Sequence, residues 1–99
     1  MNFDQIQQFA PQLLKLAQKY GISKIYVFGS VARGDTTSKS DVDFLVEMQE
    51  GAPLFGVAGF SYETEKLLGI QVDVVPLSVL PQVEDRDFVM NIQREAISL

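Results

Sequence analysis

Cysteine, histidine and tryptophan are all absent from these 99 residues. Without cysteine there can be no disulfides and no thiolate metal sites, a composition at home in a reducing compartment. Without histidine the usual general base and the usual zinc ligand are missing, so acid–base chemistry has to run on carboxylates, lysine or tyrosine. Basic residues are scarce as well, eight against thirteen acidic, for a net charge of −5. Autonomous binding to nucleic acid needs clustered Lys and Arg to displace counterions, so direct nucleic-acid binding is not expected. No apolar run approaches the roughly 20 residues needed to cross a bilayer. The opening MNFDQIQQFA lacks the basic and apolar regions of a signal peptide. The expectation is a cytoplasmic protein with no membrane contact.

What is present suits one small core: 46% of the residues are hydrophobic. Residues 1–99 read as a single domain with no repeat, low-complexity tract or internal boundary, leaving no room for a separate substrate domain. Apolar residues from Ile6 to Tyr20 recur at steps of three and four, which predicts a helix over 2–20. Pro11 interrupts the pattern and predicts a kink or fresh start, and Gly21 ends it. KIYVF (24–28) predicts a buried strand, 29–33 a turn into a short helix, 34–40 a polar loop, and 42–47 a second strand with Val42, Phe44 and Val46 on one face. Residues 54–68 predict another helix, weakened at Gly56 and Gly59 and capped by Gly69. A third strand is expected over 71–75 and a last helix over 85–96 that buries Phe88, Val89 and Ile92. The apolar steps Leu54-Phe55 and Val79-Leu80 are expected in the core, with an interface as the alternative. The fold class is α/β (α+β), a small mixed sheet of three or more strands packed by helices.

Three motifs carry chemistry. Gly29-Ser30 closes the first strand, where a glycine lets the backbone turn sharply and approach a ligand. The amides that open the following helix attract phosphate, and Ser30 offers a hydroxyl; the plain alternative is a strand-to-helix turn with Ser30 as N-cap. Asp41 and Asp43 are two apart in a strand, so they project from one face. Charges about 5 Å apart repel by roughly 3 kcal/mol at an effective dielectric near 20, which a cation between them would relieve. Hard oxygen donors select Mg²⁺ or Mn²⁺. A solvated strand end is the alternative. Asp73 interrupts the apolar run IQVDVVP, where a lone acid costs free energy unless paired or metal-bound; it either completes a metal-binding triad or pairs with Arg33 or a lysine. Arg33 either forks onto phosphate or braces one of the carboxylates.

The ordered set Gly29-Ser30-x-x-Arg33-Gly34, Ser40-Asp41-x-Asp43 and Asp73-Val74-Val75-Pro76 resembles the nucleotidyltransferase superfamily related to DNA polymerase beta, and most of all its minimal, single-domain branch. Lys66-Leu67-Leu68-Gly69 and the closing Arg94-Glu95-Ala96-Ile97-Ser98-Leu99 extend the likeness over nearly the whole chain. The resemblance implies that Gly29 and Ser30, with Arg33, bind the phosphates of ATP. It implies that Asp41 and Asp43 hold two Mg²⁺ ions, and that Asp73 binds the catalytic metal and helps deprotonate the acceptor hydroxyl. It further implies an antitoxin that moves AMP from ATP to a tyrosine of a small helical HEPN-type ribonuclease toxin, the two forming a hetero-oligomer. Competing expectations are transfer to a small molecule such as an aminoglycoside, and a non-catalytic adaptor that neutralises its partner by binding alone.

Overall fold

The computed structural model describes residues 1–34 and 42–99. Four strands, β1 (Ile22–Phe28), β2 (Val42–Met48), β3 (Val72–Pro76) and β4 (Ile97–Ser98), form one sheet in the order β3-β2-β1-β4. β1 is antiparallel to β2 and β4, whereas β2 and β3 are parallel. A parallel pair needs a crossover, and here it is made by a helix that spans Gly56–Leu68. The mixed sheet packed by helices is the expected fold class.

The first helical segment is broken, as Pro11 requires. α1 (Phe3–Gln8) ends at Phe9 and α2 (Ala10–Lys19) restarts with the proline in its first turn, where no amide proton is needed. Asn2 and Gln5 cap α1 reciprocally. One turn, α3 (Ser30–Arg33), follows β1; α4 is the crossover helix Gly56–Leu68; a 3-10 turn (Leu77–Gln82) leads to α5 (Arg86–Glu95).

Alternation along β2 sends Val42, Phe44 and Val46 to one face, where all three are fully buried against Ile6, Leu13, Ala17, Phe60 and Leu68 of α1, α2 and α4. Phe44 meets Phe60 edge-on, centroids 6.3 Å apart. Burial of side chains this size contributes roughly 1.5–3 kcal/mol each. Leu45 points the other way, into a smaller cluster with Phe28, Leu80, Val89 and Ile92. The two helical layers therefore lie on opposite faces of the sheet.

Gly56 and Gly59, which weaken α4 as a sequence, are what lets it pack. A Cβ at Gly59 would lie 2.3 Å from Cε1 of Tyr20, so the ring occupies the space of the missing side chain. Tyr20 donates its hydroxyl hydrogen bond to Glu63, which also accepts from Lys19 at 3.0 Å. That bond to Tyr20, then the Lys19 ammonium, hold the Glu63 carboxyl below its ordinary value of 4.5, while Lys19 and Tyr20 are both pushed up by Glu63.

Two expectations are corrected. Leu54 and Phe55 lie ahead of α4 and are 53% and 79% exposed, because the helix begins at Gly56 and the pair has no face of it to share; Leu80 is buried as expected. Phe88 is not in the core either: α5 turns Val89 and Ile92 inward and leaves Phe88 43% exposed. Among the described residues no helix is long and apolar enough to cross a membrane.

Candidate active site

β2 and β3 are paired so that Asp43 stands beside Asp73, and on its other side beside Phe28, the last residue of β1. Adjacent strands are about 4.8 Å apart, and residues in register on a parallel pair share a face. The two carboxylates thus rise together on the face that carries Leu45 and α5. Asp43 is half-buried and Asp73 exposed, since β3 is an outer strand of the sheet. The expected cost of a lone acid in the apolar run IQVDVVP is reduced here, because Asp73 is exposed; its position beside Asp43 is what matters.

Directly after Phe28 the chain turns at Gly29, with φ 77° and ψ −152°. This is a region open essentially to glycine alone. A Cβ there would sit 2.3 Å from Oδ2 of Asp43. The glycine is required twice, by its own backbone and by the carboxylate that lies against it. Gly29 is the N-cap of α3 and its carbonyl accepts from the Arg33 amide at 3.1 Å. Ser30 is thus the first helical residue and not the cap, and among the described residues no side chain caps this turn. Four residues make too short a helix for a sizeable dipole; what the turn offers an anion is the opening amides, which have no intrahelical acceptor.

Arg33 closes the turn and forms an ion pair with Glu95 of α5, Nη1 to Oε2 3.0 Å. With the two side chains 48% and 22% exposed, such a pair contributes about 0.2–1 kcal/mol. It ties α3 to α5 across the mouth of a cleft of about 610 Å³, a size usual for small-ligand sites. Gly29, Ser30 and Arg33 line it from the turn and α3, Phe28, Asp43, Asp73, Val74 and Val75 from the sheet, and Phe88, Asn91, Ile92 and Glu95 from α5. Five of the six residues singled out in the sequence therefore share one cleft, and Asp41 lies outside the described residues. The α5 wall was missed: its four cleft residues recur at i, i+3, i+4 and i+7, the same period that marks a buried stripe.

As a donor set, side-by-side carboxylates in a chain without histidine or cysteine fit a hard divalent cation of the Mg²⁺ type. Beside them the amides after Gly29 fit a phosphate.

Comparison with known proteins bears on the family and the fold. The family described as nucleotidyltransferase domain matches residues 10–99. A candidate protein adenylyltransferase of Methanocaldococcus jannaschii is 36% identical over 87 residues, covering 87% of this chain and 90% of that protein. A solved structure described as a candidate minimal nucleotidyltransferase superposes with a TM-score of 0.79 at 34% identity, covering 100% of this chain and 97% of that one. The same fold recurs at 17% identity, with a TM-score of 0.62, in a solved complex of a tri-AMPylated Shewanella oneidensis HEPN toxin with MNT antitoxin, covering 93% of this chain and 69% of that one.

Proposed function

We propose, because this chain belongs to the nucleotidyltransferase domain family, that it is a protein adenylyltransferase that moves AMP from ATP to a hydroxyl of a partner protein. The observation that carries this reading is the register of Asp43 with Asp73, directly beside the turn at Gly29-Ser30. The amides that open α3 and the Ser30 hydroxyl hold the phosphates, and Arg33 at the cleft mouth adds positive charge. Asp43 and Asp73, together with Asp41, would hold Mg²⁺, whose chemistry when bound is to neutralise phosphate charge and acidify the attacking hydroxyl. The acceptor oxygen attacks the α-phosphorus, a new P–O bond forms, the bond to the β-phosphate breaks, and pyrophosphate leaves. Asp73 receives the acceptor's proton, a role that its exposure on the outer strand supports. Phosphoryl chemistry of this kind asks the protein mainly for positioning and charge stabilisation.

The partner we propose is a HEPN-type toxin in the cytoplasm, modified on tyrosine, with this chain as its antitoxin. The names of the Methanocaldococcus jannaschii relative and of the Shewanella complex support that reading. The test is incubation of the purified chain with labelled ATP, Mg²⁺ and a HEPN-type ribonuclease from the same genome, followed by mass spectrometry of both proteins. AMP on a toxin tyrosine, lost in Asp73→Asn, is the expected result. Neutralisation of the ribonuclease that survives Asp73→Asn undiminished, with no AMP transferred, would establish the binding-only adaptor instead.

A further inference from the structure

Phe88 occupies an unusual place for a large aromatic side chain. Its neighbours Val89 and Ile92 are each only 2% exposed, whereas Phe88 remains 43% exposed and lines the cleft that holds Ser30, Asp43 and Asp73. Leaving a ring of this size in water forgoes part of the roughly 1.5–3 kcal/mol that its burial would contribute. Nor is it loosely held: its amide donates to Oδ1 of Asp85, the N-cap of α5, at 3.1 Å, and the far end of the same helix is tied to Arg33 through Glu95. The cleft's other aromatic residue among those described, Phe28, is 5% exposed and packs into the core beneath.

A nucleoside triphosphate whose phosphates rest on the Gly29-Ser30 turn carries its base one ribose away from its α-phosphate. On the wall opposite α5, Phe28 is buried, Val74 and Val75 have no flat ring, and the rest is carboxylate, hydroxyl, guanidinium and amide. We propose that Phe88 is the platform on which the nucleobase stacks, so that the sheet wall binds phosphate and α5 binds the base. This rests on the nucleotidyltransferase reading and assigns the half of the site that the aspartates and Gly29 do not reach. Stacking uses the π-face that every base has, so the platform raises affinity for nucleotides generally without choosing among bases.

The test compares the Mg²⁺ complexes of ATP, GTP and inorganic tripolyphosphate, titrated calorimetrically into the full-length wild-type chain, Phe88→Ala, Phe88→Leu and Phe88→Trp. Phe88→Ala and Phe88→Leu are expected to weaken ATP and GTP alike, by roughly 5- to 150-fold as loss of one stacked base implies. Tripolyphosphate should bind all four proteins equally, and Phe88→Trp should restore nucleotide affinity. An unchanged ratio of ATP to tripolyphosphate affinity in Phe88→Ala overturns the proposal, as does equal weakening of all three ligands. So does unaltered nucleotide binding with slowed transfer to the partner, which would assign the ring to the acceptor. Wild-type protein that binds none of the three removes the nucleotidyltransferase reading itself, an outcome separate from those just named. Phe88→Leu keeps apolar bulk at the site, so a folding defect confined to Phe88→Ala leaves the comparison intact.

Discussion

Substituting Gly29 by alanine separates two costs that this position combines. The first is conformational: φ 77° with ψ −152° lies where a Cβ is penalised by about 1–3 kcal/mol. The second is contact: the new methyl carbon would lie 2.3 Å from Asp43 Oδ2, so the carboxylate, or the turn, must move. Gly69 supplies the control. It too has positive φ (71°, ψ 20°), but a Cβ there meets nothing within 4 Å, so Gly69→Ala bears the left-handed backbone cost of roughly 1–2 kcal/mol alone. Gly29→Ala should therefore be the more destabilising of the two by at least about 1 kcal/mol. In a domain of this size that is a melting point lower by about 4–8 °C. Because the excess comes from contact with Asp43, it should shrink when Gly29→Ala is introduced into Asp43→Ala, a coupling that a double-mutant cycle reads directly. Thermal and urea unfolding of the wild type and these four variants, with and without Mg²⁺-ATP, measure all of this. The displaced carboxylate should also cost Gly29→Ala its ligand-induced rise in melting temperature. Equal destabilisation at Gly29 and Gly69, or additive effects with Asp43→Ala, would refute the claim that turn and acid are built against one another.

Asp73→Asn removes one of two like charges about 5 Å apart, worth between about 1 and 3 kcal/mol from solvent-like to protein-like dielectric. It should raise the melting temperature of the metal-free protein while abolishing stabilisation by Mg²⁺-ATP; equal ligand shifts in variant and wild type would refute the metal role. Thr64 is fully buried in α4 with a hydroxyl that has no hydrogen-bond partner among the described residues. Thr64→Val, nearly the same shape, should stabilise by about 1 kcal/mol in urea unfolding, and a loss of stability would show that the hydroxyl is in fact satisfied. The Tyr20–Glu63–Lys19 group predicts a pH profile. Glu63 is lowered in the fold, so its contribution is present above 4.5 and is lost as pH falls through its folded value. Tyr20 and Lys19 are raised, so theirs is present below 10.0 and 10.5 and is lost as pH climbs through their folded values. The stability difference between wild type and Glu63→Gln should be flat in the intervening range and vanish outside it; a difference that persists at pH 2 would contradict this.

Much of the fold was legible because it rests on local chemistry. The β-branched and aromatic run of β1, the alternation of β2 and the restart at Pro11 each follow from rules about single strands or helices. β4 was not legible: two residues become a strand only because Tyr26 and Val27 wait opposite them. Periodicity likewise shows that α5 has an inner stripe but not where the stripe meets open space, which is why Phe88 was placed in the core. Nor does composition reveal that Gly59 makes room for Tyr20. Of the site, residue types and the ordered motifs pointed to Gly29, Ser30, Asp43 and Asp73. That Asp43 and Asp73 are neighbours is a fact of strand register, decided by pairing partners 30 residues apart.

Because β3 is the outermost strand on its side, the flank of the cleft at Asp73 is walled by no further strand among the described residues. On the proposed reading, an acceptor coming from that flank would meet no barrier among the described residues. A folded macromolecule could present one side chain there while the rest of its bulk stays outside. Discrimination among acceptors would then, on that reading, fall to whatever holds the two molecules side by side.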